Sequence, residues 1–349
     1  MFNPRFTDAD AARLLTDQHV HAHALLHSAL TDHPPRAAQL HDWLRTHHDR
    51  LQSNPQHIHD AGFIQIVQSH ALALSRSGEH DAALAWGRAA YSLSRRFAHG
   101  WFALLDIVIA AGAIPSISSR SIPVGRIGNS GPLIPPRLMQ FWDRPVPPAD
   151  VGALMDKMQS MNPQWFYHRI TDARARQFLD QHFGPRVVAA YNTLSHVAAR
   201  SDLFRACWLY QRGGVYADAD EDCTRPVEHI LPSGSRFVLS WSNGAPSCIN
   251  NWFVAIAPAH PMMKRIIMLA LHQIEETVRR NLKLNAWVLT GPGVYTMACL
   301  DCITLDPACY DISDLSLINE VEYRRTLKSP EMLAYRHDPK ANWRLENLA

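Results

Sequence analysis

Apolar residues recur at three- and four-residue spacing from Asp8 to about Gly112, in a stretch rich in Ala, Leu, His and Arg. This period is typical of amphipathic helices, so the pattern predicts that the N-terminal third of the chain is helical. Turn-forming residues at Pro34-Pro35, Asn54-Pro55 and Gly78 divide the stretch into separate helices. The first part of the chain is therefore expected to be an all-helical region.

The small residues of this region have a spacing of their own. Gly78, Ala83 and Ala90 are spaced as in a tetratricopeptide hairpin, and Gly112 follows Gly78 after 34 residues, the period of that repeat. An ordinary helical bundle, with small residues where helices cross, explains the same positions. Both interpretations stay open.

The pattern changes between Ala113 and Leu133, where Ser, Pro and Gly make up 11 of 21 residues. Such a composition is typical of a linker. We therefore predict a helical region over 1–115, a linker over 116–130 and a second domain over 131–349. This division agrees with the 349-residue length, which suggests two domains.

Short apolar runs alternate with helical patterns in the second domain. We predict strands at 133–142, 165–170, 214–217, 236–241 and 251–257, and helices at 151–160, 193–211 and 261–282. Alternation of this kind indicates an α/β fold, with helices on the faces of a mixed or parallel sheet.

Charge and composition narrow the classes of function. The chain has 34 Lys+Arg against 32 Asp+Glu, so its charge balance indicates neither a nucleic-acid groove nor an anionic membrane surface. The most apolar run, Phe102–Ile114, is shorter than the roughly 20 residues of a membrane span. The N-terminus lacks the pattern of a secretory signal. We expect a cytoplasmic protein without a membrane span, and secretion as an effector without a standard signal peptide stays open. The six cysteines are expected to be free thiols.

The candidate chemistry lies in residues 199–222, ARSDLFRACWLYQRGGVYADADED. An amphipathic helix ends at Gly213-Gly214, a short strand follows, and the strand leads directly into Asp218 and Asp220. Where a strand turns into a loop, two such carboxylates can converge on a hard divalent cation, and Mg²⁺ or Mn²⁺ bound there neutralises charge on a diphosphate. A solvated acidic turn is the alternative that these residues alone leave open.

The stretch closely resembles the DxD core of glycosyltransferase family 32, which includes fungal Golgi mannosyltransferases and is related to glucosylating bacterial toxins. The matching positions are Ala199, Asp202, Arg205, Gly213, Gly214, Tyr216, Asp218 and Asp220.

Further landmarks of that family follow in the same order. Residues 134–148 are similar to its opening strand and keep Ile134, Pro135, Gln140 and Trp142, with Pro136 and Met139 as departures. Residues 249–261 and 290–292 resemble its later substrate-side strand and loop. His337–Trp343 has the length of its closing element, with Asp338 and Asn342 as departures. The resemblance covers about 131–345.

The resemblance implies a GT-A-type fold and a retaining, divalent-metal-dependent transfer of a sugar from a UDP- or GDP-sugar. It implies catalytic roles for Asp218, Asp220 and Arg205. Metal ligands would be Asp218, Asp220 and Asn342, with Mn²⁺ or Mg²⁺ as the cofactor. Donor-binding residues would be Gln140, Trp142 (stacking on the base), Asp202, Arg205, Gly214, Tyr216, Asp218 and Trp343. The acceptor side would comprise Asn250, Thr290, Gly291 and His337, with His337 and Trp343 on a segment that closes over the donor.

Two other functions stay open at this point. The helical N-terminus suggests a module that binds a protein partner and carries an inactive transferase domain, and Pro136, Met139 and Asn342 fit that interpretation. A metal-dependent phosphohydrolase would also use the carboxylates, but it would need neither Trp142 nor the Asp202 and Arg205 pair. The acceptor of a transferase could be a glycan, a lipid-linked sugar or a protein side chain.

Overall fold

The protein divides into two compact units, Met1–Ala113 and Ile114–Ala349. The computed structural model describes residues 68, 71–94, 105, 107–109, 116–117, 133–242, 248–304 and 314–337. In the first unit, residues 71–76 are helical and helix α1 (His80–Ser94) follows. Gly78 lies in the turn between them with a φ of +85°, a left-handed conformation that suits glycine. The predicted break at Gly78 is confirmed, whereas the predicted breaks at residues 34–35 and 54–55 lie outside the described residues.

The second unit is built from strands and helices in alternation. Its described strands are β1 (Ser116–Ile117), β2 (Arg137–Phe141), β3 (Phe166–Ile170), β4 (Gly214–Ala217), β5 (Asp222–Cys223), β6 (Phe237–Ser242), β7 (Cys248–Ile256), β8 (Leu315–Asn319) and β9 (Leu327–Lys328). Its described α-helices are α2 (Ala149–Met161), α3 (Asp172–His182), α4 (Pro185–Thr193), α5 (Val197–Arg212), α6 (Pro261–Arg279), α7 (Ala286–Leu289), α8 (Pro292–Thr304) and α9 (Glu320–Tyr323). Single 3₁₀ turns occur at Val227–His229 and Ala334–His337.

Seven strands form one mixed sheet in the order β1-β8-β6-β7-β4-β2-β3. Strand β7 is antiparallel to both of its neighbours, and the other neighbouring pairs are parallel. Strands β5 and β9 pair separately as an antiparallel ribbon. The predicted α/β class, a mixed sheet with helices, is confirmed.

The strand order reverses between β2 and β4. From β2 the chain passes through α2 to β3 on one side, and then returns through α3, α4 and α5 to β4 on the other side. In open α/β sheets, ligands bind beyond the carboxyl ends of the strands at such a reversal. The fold therefore directs attention to the residues that follow β2 and β4.

Helix α5 leads into β4 through a very tight turn. Gly213 and Gly214 have φ values of +64° and +110°, both outside the range that other residues readily adopt. A Cβ at Gly214 would lie 2.4 Å from the backbone oxygen of Arg137 on β2. The two glycines thus allow α5 to end and β4 to begin directly against β2.

The structure differs from the predicted elements of the second unit. The helix predicted at 193–211 begins instead at Val197, because α4 ends at Thr193 and residues 194–196 separate the two helices. The sequence analysis did not predict helices α3, α4, α7, α8 and α9 or strands β1, β5, β8 and β9. Helix α6 begins at Pro261 as expected, with His260 as its N-cap, and ends at Arg279 just before Asn281, whose φ is +52°. The five cysteines that the structure describes are buried free thiols, as expected.

Candidate active site

Two of the predicted site residues, Trp142 and Asp218, lie beyond the ends of adjacent parallel strands. Trp142 follows β2, and Asp218 follows β4, which pairs with β2 through Leu138 and Val215. Gln140 links the two strand ends, because its buried amide nitrogen donates to the backbone oxygen of Asp218 at 2.9 Å. The structure thus brings Gln140, Trp142 and Asp218 together at the reversal of the sheet.

The Gln140 side chain is itself held from β3. The hydroxyl of Tyr167 donates to Oε1 of Gln140 at 2.7 Å, and burial raises the pKa of Tyr167 to about 12. Tyr167 is therefore a neutral hydrogen-bond donor at physiological pH, and it fixes which way the Gln140 amide points.

Arg205 on helix α5 is the buried centre of the site. Its Nη2 lies 3.1 Å from Oδ1 of Asp202, and its Nη1 lies 3.2 Å from Oδ1 of Asp218. Nη1 also donates to the backbone oxygen of Asn251 at 2.6 Å. The guanidinium carbon lies 3.9 Å from the centre of the Tyr216 ring, in cation–π contact. One cation thus joins α5, β4 and β7 and compensates two carboxylates.

Asp202 is engaged at both carboxylate oxygens. Oδ1 accepts a hydrogen bond from Asn251 at 2.8 Å, and Oδ2 accepts one from the hydroxyl of Thr290 at 3.1 Å. Burial raises the pKa of Asp202, against the opposing effect of Arg205. The network connects the predicted donor residue Asp202 to the predicted acceptor-side residue Thr290.

Asp218 carries an incompletely compensated charge. Tyr216 donates its hydroxyl to Oδ1 of Asp218 at 2.7 Å, so both this bond and the Arg205 contact use the same oxygen. Burial and the repulsion of Asp220 raise the pKa of Asp218 to about 6, although Arg205 opposes the change. Extra positive charge at this place would therefore be stabilising.

Asp220 is held by two residues that sequence reasoning did not identify. Tyr335 and Arg336, both in the 3₁₀ turn Ala334–His337, each donate to Oδ2 of Asp220, Arg336 from Nη2 at 2.5 Å. No motif in the sequence indicated this role, because a Tyr followed by an Arg is a common pair of residues.

Tyr335 also covers Trp142. The two rings meet edge to face, with centroids 5.5 Å apart and planes 83° apart. Trp142 and Tyr335 pack against a small apolar cluster of Val151 and Met155 on α2 with Ala219. The indole nitrogen of Trp142 is buried and has no hydrogen-bond partner among the described residues. An aromatic surface with a spare donor thus lies directly beside the acidic turn.

The remaining acidic residues of the turn are paired as well. Glu221 is buried and accepts hydrogen bonds from Arg324 at both carboxylate oxygens, each at 3.1 Å. Asp222 meets Lys157 of α2 at 2.6 Å. Burial raises the pKa of Glu221 to about 7. Each carboxylate from Asp218 to Asp222 therefore contacts a cation, and Asp218 shares Arg205 with Asp202.

The two DxD carboxylates fit a divalent cation by the chemistry of their donor atoms. The contacts described above use Oδ1 of Asp218 and Oδ2 of Asp220, so the other oxygen of each is left for a further ligand. Within the described ranges, no cluster of three or more His, Cys, Asp or Glu has metal-binding geometry. A cation held here would complete its shell with water and donor oxygens, as Mg²⁺ commonly does.

The other predicted residues are distributed as follows. Gly214 forms the tight turn before β4, and Gly291 donates its N–H to Ala286 in the turn before α8. Asn250 is buried beside Cys248, and it is the neighbouring Asn251 that contacts Asp202 and Arg205. Asn342 and Trp343 lie outside the described residues. The backbone of His337 belongs to the turn that carries Tyr335 and Arg336.

Part of this domain is similar to a known protein family. Residues 148–237 match the family described as "Glycosyltransferase sugar-binding region containing DXD motif". The matched region includes Asp202, Arg205 and both carboxylates of the DxD motif. The predicted resemblance to a family 32-like DxD glycosyltransferase is confirmed over these residues.

Three fungal proteins show the likeness at the level of single chains. The putative glycosyltransferase HOC1 of Saccharomyces cerevisiae is 23% identical over 46% of this chain and 47% of its own. Inositol phosphoceramide mannosyltransferase 3 of Schizosaccharomyces pombe is 28% identical over 40% and 38%. An initiation-specific alpha-1,6-mannosyltransferase of Candida albicans is 23% identical over 40% and 44%. The chain spans less than half the length of these curated relatives.

A solved structure, the PaToxG glycosyltransferase, is 18% identical, with a TM-score of 0.39 over 61% of this chain and 86% of that one.

None of the helices in the described ranges is long and apolar enough to cross a membrane.

Proposed function

We propose that this chain is a retaining, divalent-metal-dependent glycosyltransferase of the GT-A type that moves a sugar from a UDP- or GDP-sugar to an acceptor. The observation that carries the proposal is the meeting of Trp142 with Asp218 and Asp220 at the reversal of the sheet. That is where open α/β sheets bind nucleotides. The family match over the DxD segment supports the same conclusion.

The two halves of this site suit the two halves of a nucleotide-sugar. An indole ring offers a stacking surface for the base, and base–aromatic stacking contributes about 1–3 kcal/mol. The carboxylates of Asp218 and Asp220 would hold Mn²⁺ or Mg²⁺ with the diphosphate, together with Asn342 as the proposed further ligand. The bound cation supplies charge neutralisation for the leaving diphosphate.

Arg205 would orient the donor from a fixed position. Its guanidinium is fixed by Asp202, Asp218 and the Asn251 backbone, so its position is set before substrate arrives. Such preorganised charge stabilises a transition state without reorganising during the reaction. Asp202 keeps Arg205 in place, and its contacts with Thr290 extend the same network towards the proposed acceptor side with Gly291 and His337.

Retention by front-face attack agrees with the charge pairing of the turn. A double displacement needs a carboxylate that is available to attack the anomeric carbon. Asp202 is engaged at both oxygens, and Glu221 is held at both oxygens by Arg324. Asp218 and Asp220 are the proposed metal ligands. We therefore propose that the leaving phosphate accepts the proton of the acceptor.

The named relatives suggest the first donors and acceptors to test. Two of those cited are named mannosyltransferases, and one is named for inositol phosphoceramide. A GDP-sugar carrying mannose is accordingly the first donor in the panel, and glycan and lipid acceptors are the first acceptors. We also propose that the protein is cytoplasmic, with the helical region 1–115 available to a protein partner.

The test is incubation of the full chain with a panel of UDP- and GDP-sugars and Mn²⁺, followed by measurement of released nucleotide. We expect slow hydrolysis of one donor and faster release when its acceptor is added. Release of phosphate from any nucleotide, whether or not it carries a sugar, would indicate a phosphohydrolase and overturn the proposal. A panel without nucleotide release would favour the binding-module interpretation.

Asp220→Asn should abolish this release while the protein remains folded. Asp222→Asn is the matched control, because Asp222 belongs to the same turn but pairs with Lys157 on the outside of α2. Full activity of Asp220→Asn at saturating Mn²⁺ would refute the metal assignment.

A further inference from the structure

Each carboxylate of the acidic turn, from Asp218 to Asp222, faces a cation. Asp218 faces Arg205 and Asp220 faces Arg336, and two further cations face Glu221 and Asp222. A divalent cation at Asp218 and Asp220 would meet Arg205 and Arg336 at the same carboxylates, and like charges repel. Binding of the cation is therefore favoured when one of these side chains moves to an anion that arrives with the cation.

Arg336 is paired with Asp220, one of the two carboxylates that would bind the metal. Its Nη2 contacts Oδ2 of Asp220, the second carboxylate of the DxD motif, and both side chains are largely shielded, with 15% and 16% exposure. The side chain of Arg205 is only 6% exposed and binds acceptors on α5, β4 and β7. Of these two cations, Arg336 is the more exposed.

The same turn covers both halves of the proposed donor site. Arg336 lies on Asp220, while the adjacent Tyr335 donates to that carboxylate and places its ring against Trp142. A base stacking on Trp142 and a diphosphate next to Asp220 would therefore both meet residues of the 3₁₀ turn Ala334–His337. Two neighbouring residues touch the two places that a nucleotide-sugar needs.

The turn is tethered at its sides. The backbone N–H of Ala334 donates to Asp150 at the start of α2 at 2.7 Å. Arg336 also donates to the backbone oxygen of Pro330 and to the hydroxyl of Ser329, at 2.7 and 2.9 Å. The ribbon of β5 and β9 holds the start of this segment beside the acidic turn. Ala334 and the ribbon thus hold the backbone of the segment independently of the contact between Arg336 and Asp220.

We propose that Arg336 is a donor-site residue that exchanges Asp220 for the donor's diphosphate: it neutralises the carboxylate before binding and pairs with phosphate oxygens afterwards. The planar guanidinium suits bidentate contact with both carboxylate and phosphate. The inference rests on the proposed function, and it predicts that cation and nucleotide bind together far better than the cation binds alone.

The test is to measure Mn²⁺ binding by the electron paramagnetic resonance of free Mn²⁺, with the full chain, first without nucleotide. We expect Arg336→Gln to bind Mn²⁺ about tenfold more tightly than the unchanged protein, because Asp220 loses its internal counter-ion. Tyr335→Phe, which removes one hydrogen bond to Asp220 and no charge, should show a smaller increase. Arg325→Gln is the matched control, since it removes an exposed cation paired with Glu322 and should leave Mn²⁺ affinity unchanged.

The second measurement is binding of GDP and UDP in the presence of Mn²⁺, by calorimetry. Arg336→Gln should bind the nucleotide that the protein prefers about tenfold more weakly, since a charge-assisted contact to phosphate is lost. The affinities for cation and nucleotide therefore change in opposite directions. If Arg336 only positioned Asp220, both affinities would fall, and that result would overturn the inference.

The unchanged protein provides a test that does not depend on the folding of any variant. Micromolar binding of Mn²⁺ without nucleotide would show that Arg336 does not compete for Asp220, and the inference would fail. A protein that hydrolyses a donor but shows this behaviour keeps the proposed function and loses only the exchange by Arg336. If no donor is turned over but Arg336→Gln changes the affinities for Mn²⁺ and nucleotide in opposite directions, the proposed function fails and the exchange by Arg336 stands.

Discussion

Arg205 and Asp218 lie on consecutive elements, helix α5 and the end of strand β4, and their side chains meet with Nη1 of Arg205 3.2 Å from Oδ1 of Asp218. The contact exists because Gly213 and Gly214 reverse the chain within two residues and direct β4 back along the helix. Arg205 also compensates Asp202, one turn earlier on α5. The centre of the site thus depends on one buried cation between two carboxylates.

Replacing Arg205 should destabilise the protein strongly. Arg205→Ala leaves Asp202 without its buried counter-ion, and removal of one partner of a buried pair costs about 3–5 kcal/mol. We expect the free energy of unfolding in urea to fall by that amount. Arg186→Ala is the control, because Arg186 pairs with Glu275 on the surface and its loss should change stability far less. Equal effects of the two variants would contradict the assignment of Arg205 as the buried centre.

Gly214 should be intolerant of any side chain. In Gly214→Ala the Cβ would lie 2.4 Å from the Arg137 backbone oxygen, at a φ of +110°. Gly234→Ala is a matched control, because Gly234 also has a positive φ, +77°, but open space around it. Backbone strain alone costs about 1–3 kcal/mol, so we expect Gly234→Ala to lose about that much. Gly214→Ala should lose clearly more in urea unfolding, and a smaller loss would show that β2 yields easily.

Trp142 should contribute to nucleotide affinity independently of the cation. Loss of a base–aromatic stack is worth about 1–3 kcal/mol, so Trp142→Ala should weaken GDP or UDP binding in calorimetry by roughly five- to 150-fold. Trp142→Phe keeps a smaller ring and should retain part of the affinity. Trp165→Phe is the control, since Trp165 donates to Glu228 and belongs to the core near β5. Unchanged binding by Trp142→Ala would remove Trp142 from the donor site.

His260 should make the protein sensitive to acid. It is the N-cap of α6, and burial lowers its pKa from 6.5 to about 4, although Asp314 opposes this and Arg236 adds to it. Between pH 4 and pH 6.5 the unfolded chain binds a proton at this histidine and the folded protein does not. Acidification from pH 6.5 to 4 therefore favours unfolding through this group.

His260→Asn tests the acid sensitivity, because Asn retains an N-cap acceptor and does not titrate. The loss of unfolding free energy between pH 6.5 and 4 should be smaller in His260→Asn than in the unchanged protein. Identical pH profiles would assign the acid sensitivity to other groups.

The sequence was sufficient for several local features of the site. The Gly213-Gly214 pair predicted the end of a helix, and the apolar run after it predicted β4, because these signals depend only on neighbouring residues. The family resemblance then identified Asp202, Arg205, Asp218 and Asp220, which the structure brings into one charge network. The predicted helix start at residue 193 failed, since the end of α4 and the start of α5 merge into one helical pattern.

What the sequence by itself determined is the class of the domain and the order of its chemical groups along the chain. The tertiary structure alone decided which groups meet. Asn251 rather than Asn250 reaches Asp202. Successive side chains of a strand point to opposite faces of the sheet, and the register of β7 decides which of the two lies on the face of Asp202. Arg336 reaches Asp220 across 116 positions of sequence, and only the folding of the C-terminal segment beside the acidic turn creates that contact.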